Sequence, residues 1–299
     1  IIYLDGVATN TGVYDVNSDL TVGDLTVTGA FEATGTIKLD GNYPTGTCNV
    51  ALGDNALGSG SLSGDFNTAV GTNALLANTS ADANTAIGRS SLCSNTTGNC
   101  NTGLGMNALL GNTEGFGNVA VGRSSMVANT TGDNNVAVGQ NSLVSNTTAD
   151  NNTAVGTCSL TANTTGNANT AVGITSLQAN TTGANNVAVG RCALYSNTTA
   201  SDNTAVGVSS MGLTTTGCQN TAVGQQSLRT NSTGDNNTAL GFYALCSNTT
   251  ADNNTAVGFC SLKTNSTGAN NTAVGRFALV FNQTGATNTA VGQNSLHSN

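Results

Sequence analysis

The chain repeats itself every 17 residues. One copy reads Gly156-Thr157-Cys158-Ser159-Leu160-Thr161-Ala162-Asn163-Thr164-Thr165-Gly166-Asn167-Ala168-Asn169-Thr170-Ala171-Val172, and the next begins at Gly173. The opening glycine returns at Gly190, Gly207, Gly224, Gly241, Gly258, Gly275 and Gly292. Backwards it stands at Gly139, Gly122, Gly105, Gly88 and Gly71, and one step of 18 reaches Gly53. A fixed period of this length confines the chain to a solenoid or array, in which each copy is a unit stacked on the last.

Each position of the copy makes its own demand. With the glycine as position 0, position −4 is always Asn: Asn49, Asn67, Asn84, Asn101, Asn118, Asn135, Asn152, Asn169, Asn186, Asn203, Asn220, Asn237, Asn254, Asn271 and Asn288. Position −1 is Val, Ile or Leu, position −2 is Ala except at Gly103, and position −3 is Thr or Val. Position +3 is Ser or Ala, +4 is Leu or Met, and +7 is Asn in most copies, with Thr214 the clear exception. Asn-Thr-Ala-Val is a short β-branched run between turn residues, which predicts a strand. Alternation puts Thr170 and Val172 on one face and Ala171 on the other. Leu160 and its equivalents, the largest apolar group of each copy, are expected in the core together with the Val, and the Ser-Leu segment is expected to form a second strand. Asn-Thr-Thr-Gly reads as a turn.

The expected fold is therefore all-β: a β-solenoid of about fifteen 17-residue coils, spanning residues 48–299. Stacked at about 4.8 Å, fifteen coils make a rod roughly 70 Å long. The −4 Asn column becomes a ladder of side-chain amides, the physics of Asn stacking in cross-β. Stacked carboxylates would repel, which explains why Asp never replaces Asn there. The Ala column either faces a backbone at close range, from a neighbouring chain or the opposite wall, or only reflects a thin coil.

Composition supports this reading. Only 4% of residues are aromatic and 7% charged, too few for an ordinary globular domain of this length. A solenoid tolerates this, because each coil buries a thin core and backbone ladders supply the rest. Disorder is the competing reading of an Asn/Thr/Gly-rich chain, and the strict apolar registers oppose it. The net charge is −8. Asp82, Asp133, Asp150, Asp235 and Asp252 fall in the turn, and Arg89, Arg123, Arg191 and Arg276 follow their glycines. Both columns are sparse, so like charges are expected to stack seldom. No basic stripe marks a nucleic-acid binder, and no stretch has the length of a membrane-spanning helix.

Residues 1–47 differ from the rest. Asp19-Leu20-Thr21-Val22-Gly23 and Asp24-Leu25-Thr26-Val27-Thr28-Gly29 form a small tandem, and Thr34 to Gly41 continues as alternating strand. This reads as a β-rich N-terminal shaft or cap, since a solenoid needs its open end covered. Alternatively, Ile1 to Leu4 pairs with another subunit by edge-strand addition. No signal peptide opens the chain and no Met begins it, which suggests a processed product or a fragment.

The repeat sentence Asn-Thr-Ala-Val-Gly-x-x-Ser/Ala-Leu-x-x-Asn-Thr-Thr-Gly resembles repeats of bacterial and phage tail-fibre-domain proteins. More distantly it is similar to the Asn-Ser-Val-Ala-Ile-Gly repeats in the head of trimeric autotransporter adhesins. The tandem at Leu20 to Gly29 looks like phage fibre shafts. The resemblance covers residues 49–299 and implies extracellular β-solenoid fibres, often homotrimeric, used in surface attachment. The adhesin repeat is shorter than 17 residues, and the anchor domains that usually follow it are absent. The families place no functional residue inside the repeat.

Chemistry-bearing residues are scarce. Asn-x-Ser/Thr sequons recur at Asn78, Asn95, Asn129, Asn146, Asn163, Asn180, Asn197, Asn231, Asn248, Asn265 and Asn282. They read either as a column of sugar acceptors or as turn residues that make sequons by composition alone. Of eight Cys, Cys246 and Cys260 lie on neighbouring coils and are the best candidates for a disulfide; Cys93 with Cys100 could close a turn within one coil. There is no C-x-x-C and one His, so a zinc site is not expected. The calcium β-roll pattern is missing. No Ser-His-Asp set, paired acids or phosphate loop is present, and no cofactor or enzymatic activity is expected. The reading is a structural subunit of an extracellular fibre or filament that associates with copies of itself, as a homotrimer or head to tail. The alternative is an adhesin or receptor-binding rod that holds a glycan or host surface. Ice binding is a third possibility, opposed by the Val residues that interrupt the Thr column.

Overall fold

The computed structural model describes residues 47–60 and 62–297. The N-terminal shaft, the tandem at Leu20 to Gly29 and the Ile1–Leu4 strand all lie outside the described residues. Within them the protein is a β-solenoid. Fifteen three-residue strands, from β1 (Val50–Leu52) to β15 (Thr289–Val291), form one sheet in sequence order. Every pair is parallel and in register, so like stands beside like: Thr153 pairs with Thr170, Ala154 with Ala171, Val155 with Val172. There is no helix among the described residues.

The backbone ladder continues around the coil beyond the sheet. Gly173 N donates to Val155 O, and Thr170 N to Asn186 O, both at 2.8 Å. Leu160 N donates to Ser176 O at 3.0 Å. The Ser-Leu segment thus bonds coil to coil, but it does so as a run of turns and not as the expected second strand. The cause is its dihedral angles. Leu160 has φ of 49° and Cys158 has φ of 56°, so the chain turns left-handed twice within three residues. The same pair recurs at Thr175 and Leu177, and at Cys192 and Leu194.

A left-handed bulky residue costs roughly 1–2 kcal/mol, yet the +4 Leu or Met adopts it in coil after coil. The turn aims the side chain inward, where Leu160, Leu177 and Leu194 have no exposure. Burying one Leu is worth about 1.5–3 kcal/mol, which offsets the backbone term.

Ala171, Ala188 and the other central strand residues face this Leu column and are also buried, Ala51 only partly. The Val at −1 lies outside: Val155 is 36% and Val172 37% exposed. The expectation that Val joins Leu in the core is corrected. Leu enters from the turn and fills the thin interior, leaving room for only a methyl group on the strand. The close neighbour of the Ala column is therefore the opposite wall of its own chain. A Cβ built on Gly103, which replaces Ala in β4 (Thr102–Leu104), would stand 2.4 Å from Ser91 Oγ and 3.3 Å from Ala108 O.

The glycine at position 0 marks the corner where the strand ends. Gly156 has φ of 134°, and a Cβ there would lie 2.6 Å from Gly173 O of the next coil. Only glycine combines that φ with backbones this close.

Candidate functional site

The polar interior is the first place to seek chemistry, because buried amides and hydroxyls need partners. Two Asn ladders run through it. In the −4 column, Asn169 Oδ1 accepts from Asn186 N at 3.0 Å and Asn186 Nδ2 at 3.1 Å. Asn169 Nδ2 also donates to Gly183 O at 2.9 Å. One side chain thus ties its own coil to the next through both backbone and amide.

The second ladder is made of the sequon Asn residues at +7. Asn163 Nδ2 donates to Asn146 Oδ1 and to Gly166 O, each at 3.0 Å, and Asn180 Nδ2 donates to Asn163 Oδ1 at 2.8 Å. Asn78, Asn95, Asn129, Asn146, Asn163, Asn180, Asn197, Asn231, Asn248 and Asn265 have no exposure, and Asn282 has 1%. Of the two readings of the sequons, this burial favours the turn residue. An amide nitrogen that is buried and spends one proton on the neighbouring coil and one on its own turn has no room for a glycan in this fold. A signal for the ladder stood in the sequence: Asn112 keeps the column although Thr113-Glu114 makes no sequon. Asn112 also joins the ladder, donating to Asn95 Oδ1 at 2.7 Å.

A third ladder flanks the second. Thr164 Oγ1 donates to Thr181 O at 3.1 Å, and Thr181 Oγ1 to Thr198 O at 3.0 Å. The interior polar groups thus work as cross-links between coils.

Cys246 and Cys260 are buried free thiols, so the expected bridge is not formed. Cys246 sits at +5 of one coil and Cys260 at +2 of the next, three positions apart along the coil. Cys93 and Cys100 are free as well. Burial pushes the thiols of Cys93, Cys246 and Cys260 up from their usual range. At Cys246 the positive charges of Arg229 and Lys263 pull the other way, more weakly. Among the described residues no group of His, Cys, Asp and Glu could hold a metal ion.

Function must then reside on the outside, where three surfaces differ. The sheet face presents two columns, Thr or Val at −3 and the aliphatic residue at −1. Neither column carries a charge in any of its fifteen rungs. The corner before the strand is acidic. Asp133 Oδ1 accepts from Phe116 N at 2.9 Å, and Asp150 Oδ1 from Asp133 N at 2.8 Å. Asp here does stack on adjacent coils, contrary to expectation, because each carboxylate caps a backbone N–H of the coil below. No family model matches the chain, and no curated protein matches it.

The third surface follows the glycine corner, at positions +1, +2, +5 and +6. All described Lys and Arg lie there: Arg89, Arg123, Arg191 and Arg276 at +1, Arg229 and Lys263 at +5. Aromatic rings join them only in the later coils. Phe242 stacks on Phe259 at 5.5 Å between centroids, and Phe277 meets Phe259 edge-on at 5.4 Å. Arg276 lies 4.5 Å above the Phe277 ring, and Lys263 5.3 Å above Tyr243. Gly212 leaves a gap in the +5 column, a notch of about 170 Å³ lined by Tyr195, Leu213 and Arg229. Sequence reasoning missed this edge because its members are scattered over seven coils and converge only when the coils are stacked.

Proposed function

We propose that the chain is a structural rod of an extracellular fibre or filament, and that copies of it associate through the Thr/Val sheet face. The observation that carries this reading is the outward aliphatic column. Fifteen aliphatic side chains, from Leu52 to Val291, form one uncharged exterior stripe. A stripe about 70 Å long and about 10 Å wide offers roughly 700 Å² per partner, close to the half-interface of a standard stable complex, about 800 Å².

The charged corners favour a parallel arrangement. The Asp corner lies before the strand and the Arg corner after it. A second copy laid parallel across the sheet face, around an axis along the rod, brings its acidic corner to the basic corner of the first. An antiparallel copy brings like corners together and is repelled. Closed rotation about such an axis gives a homotrimer or another cyclic oligomer. The interior ladders suit a load-bearing role, since each coil is fixed to the next by backbone, amide and hydroxyl bonds together.

Cryo-electron microscopy of the purified full chain tests this. Parallel rods joined along the Val column support it. Isolated rods, or rods joined only at their ends, would remove the lateral interface. A second reading, in which the rod also holds a glycan or host surface as an adhesin does, is favoured by the aromatic and basic edge of the later coils.

A further inference from the structure

We infer that the edge running from the coil of Gly190 to that of Gly292 binds an acidic polysaccharide, a glycan chain carrying spaced carboxylate or sulfate groups. This inference rests on the second reading above and does not depend on self-association.

The first argument is segregation. The chain holds few aromatic residues, yet Tyr195, Phe242, Tyr243, Phe259, Phe277 and Phe281 all lie on one edge of its second half. Phe281 is 53%, Phe259 43% and Tyr195 41% exposed. Stability does not require them there, because the same positions in earlier coils carry Thr72 and Met106 at +1, Asn73 and Ser90 at +2, Leu76 at +5 and Ala77 at +6. Exposed rings gathered on one surface mark a contact site.

The second argument is charge. Arg229, Lys263 and Arg276 have no ion-pair partner among the described residues, on a chain of net charge −8. Arg276 Cζ lies over the Phe277 ring, 4.5 Å from its centroid. That contact holds the guanidinium in place, and its N–H fork is suited to a carboxylate or sulfate.

The third argument is spacing. Arg191, Arg229 and Lys263 stand on coils separated by two steps each, about 10 Å at the strand spacing, and Arg276 is one coil further on. A ligand that meets all four is long and carries its anions sparsely, as does a glycan with one acidic group per disaccharide. The aromatic rings between the cations offer apolar surface to the C–H faces of the sugars. The Gly212 notch interrupts the edge between Tyr195 and Arg229 and leaves room for a substituent.

Single-stranded nucleic acid fits less well. Its charge is denser than these cations match.

The test measures binding of the full chain to three probes by calorimetry at low salt: hyaluronate, neutral dextran and oligo-dT. The inference expects binding to hyaluronate with none to dextran, and a loss of at least tenfold in the R229A/K263A variant. Phe281→Ala should also weaken binding, while R89A/R123A, which removes two cations from the ring-free coils, should leave it unchanged. Equal binding to dextran would overturn the acidic ligand while keeping a glycan-holding rod. Tighter binding to oligo-dT would overturn it in favour of a nucleic acid. Equal loss in R89A/R123A would overturn the location. No binding to any probe would overturn both the inference and the second reading, and sedimentation of the same sample reports on assembly independently.

Discussion

Ser91 Oγ donates to the carbonyl oxygen of Gly103 at 2.9 Å, from the space that an alanine methyl occupies in every other coil. Most equivalent Ser turn back to their own corner, as Ser125 Oγ does to Gly122 O at 3.0 Å, although Ser210 Oγ also reaches across, to Ala222 O at 3.1 Å. A methyl group on Gly103 would stand 2.4 Å from this Ser91 hydroxyl and displace it. Gly103 lacks the positive φ that would penalise a side chain. Gly103→Ala should therefore return Ser91 to Gly88 O and stabilise the rod by about 0.5–1 kcal/mol, since alanine loses less backbone freedom on folding. Urea denaturation of the variant measures this.

The +7 ladder is broken near its start, where Asn78 Oδ1 is buried without a partner, and again in the coil of Gly207. Thr214 replaces Asn there, and both its hydroxyl and Asn197 Oδ1 are buried without a hydrogen-bond partner. Thr214→Asn should supply an amide to Asn197 and accept from Asn231. The expected gain is about 1–3 kcal/mol, the penalty of a buried unsatisfied group. Hydrogen exchange should show the amides around Asn197 and Asn231 becoming more protected.

Breaking an intact rung should do the reverse. Asn163→Ala strands Gly166 O and removes the acceptor of Asn180 Nδ2, at a cost of about 2–4 kcal/mol. Asn163→Asp should cost more, because a buried carboxylate has no proton to donate to Asn146. The same burial predicts that folded protein from a glycosylating host carries no sugar on the sequon ladder. Intact mass before and after enzymatic deglycosylation checks that.

Alkaline pH should weaken the fold through its thiols. Burial raises Cys93, Cys246 and Cys260 above the usual range, so the unfolded chain loses these protons first as pH rises. The unfolded state then binds fewer protons than the folded one, and stability falls with pH. The decline begins near about pH 8.5, where a free thiol titrates, and neutral pH lies below it. Urea midpoints at neutral and alkaline pH should separate in the natural chain and separate less in Cys246→Ala.

Much of the fold was legible in the period alone. The glycine, Leu and −4 Asn columns each recur once per copy, and recurrence at one period places like residues on adjacent coils. The direction of the strand was not legible. Alternation separates Ala171 from Val172 without saying which faces inward, and the larger residue ordinarily does. Here Leu160 reaches the interior from a left-handed turn that propensity does not foretell, and it displaces the Val to the surface. A clue was available in the variation: Val, Ile and Leu interchange at −1, as an open face permits, while −2 admits nothing larger than Ala. The sequon Asn residues were ambiguous for a different reason, because one motif serves both as a sugar acceptor and as a turn amide. The aromatic edge was illegible because its residues are separated by whole coils.

Sedimentation velocity of the full chain tests the central claim most directly, beside a variant carrying Glu at Val155, Val172 and Val189. These side chains lie outside the coil, so the variant should keep the circular dichroism of the natural rod. The account predicts that the natural chain sediments as a whole multiple of its 29.5 kDa mass and the variant as a monomer. A natural chain that sediments as a monomer, or a variant that keeps the oligomer, would contradict it.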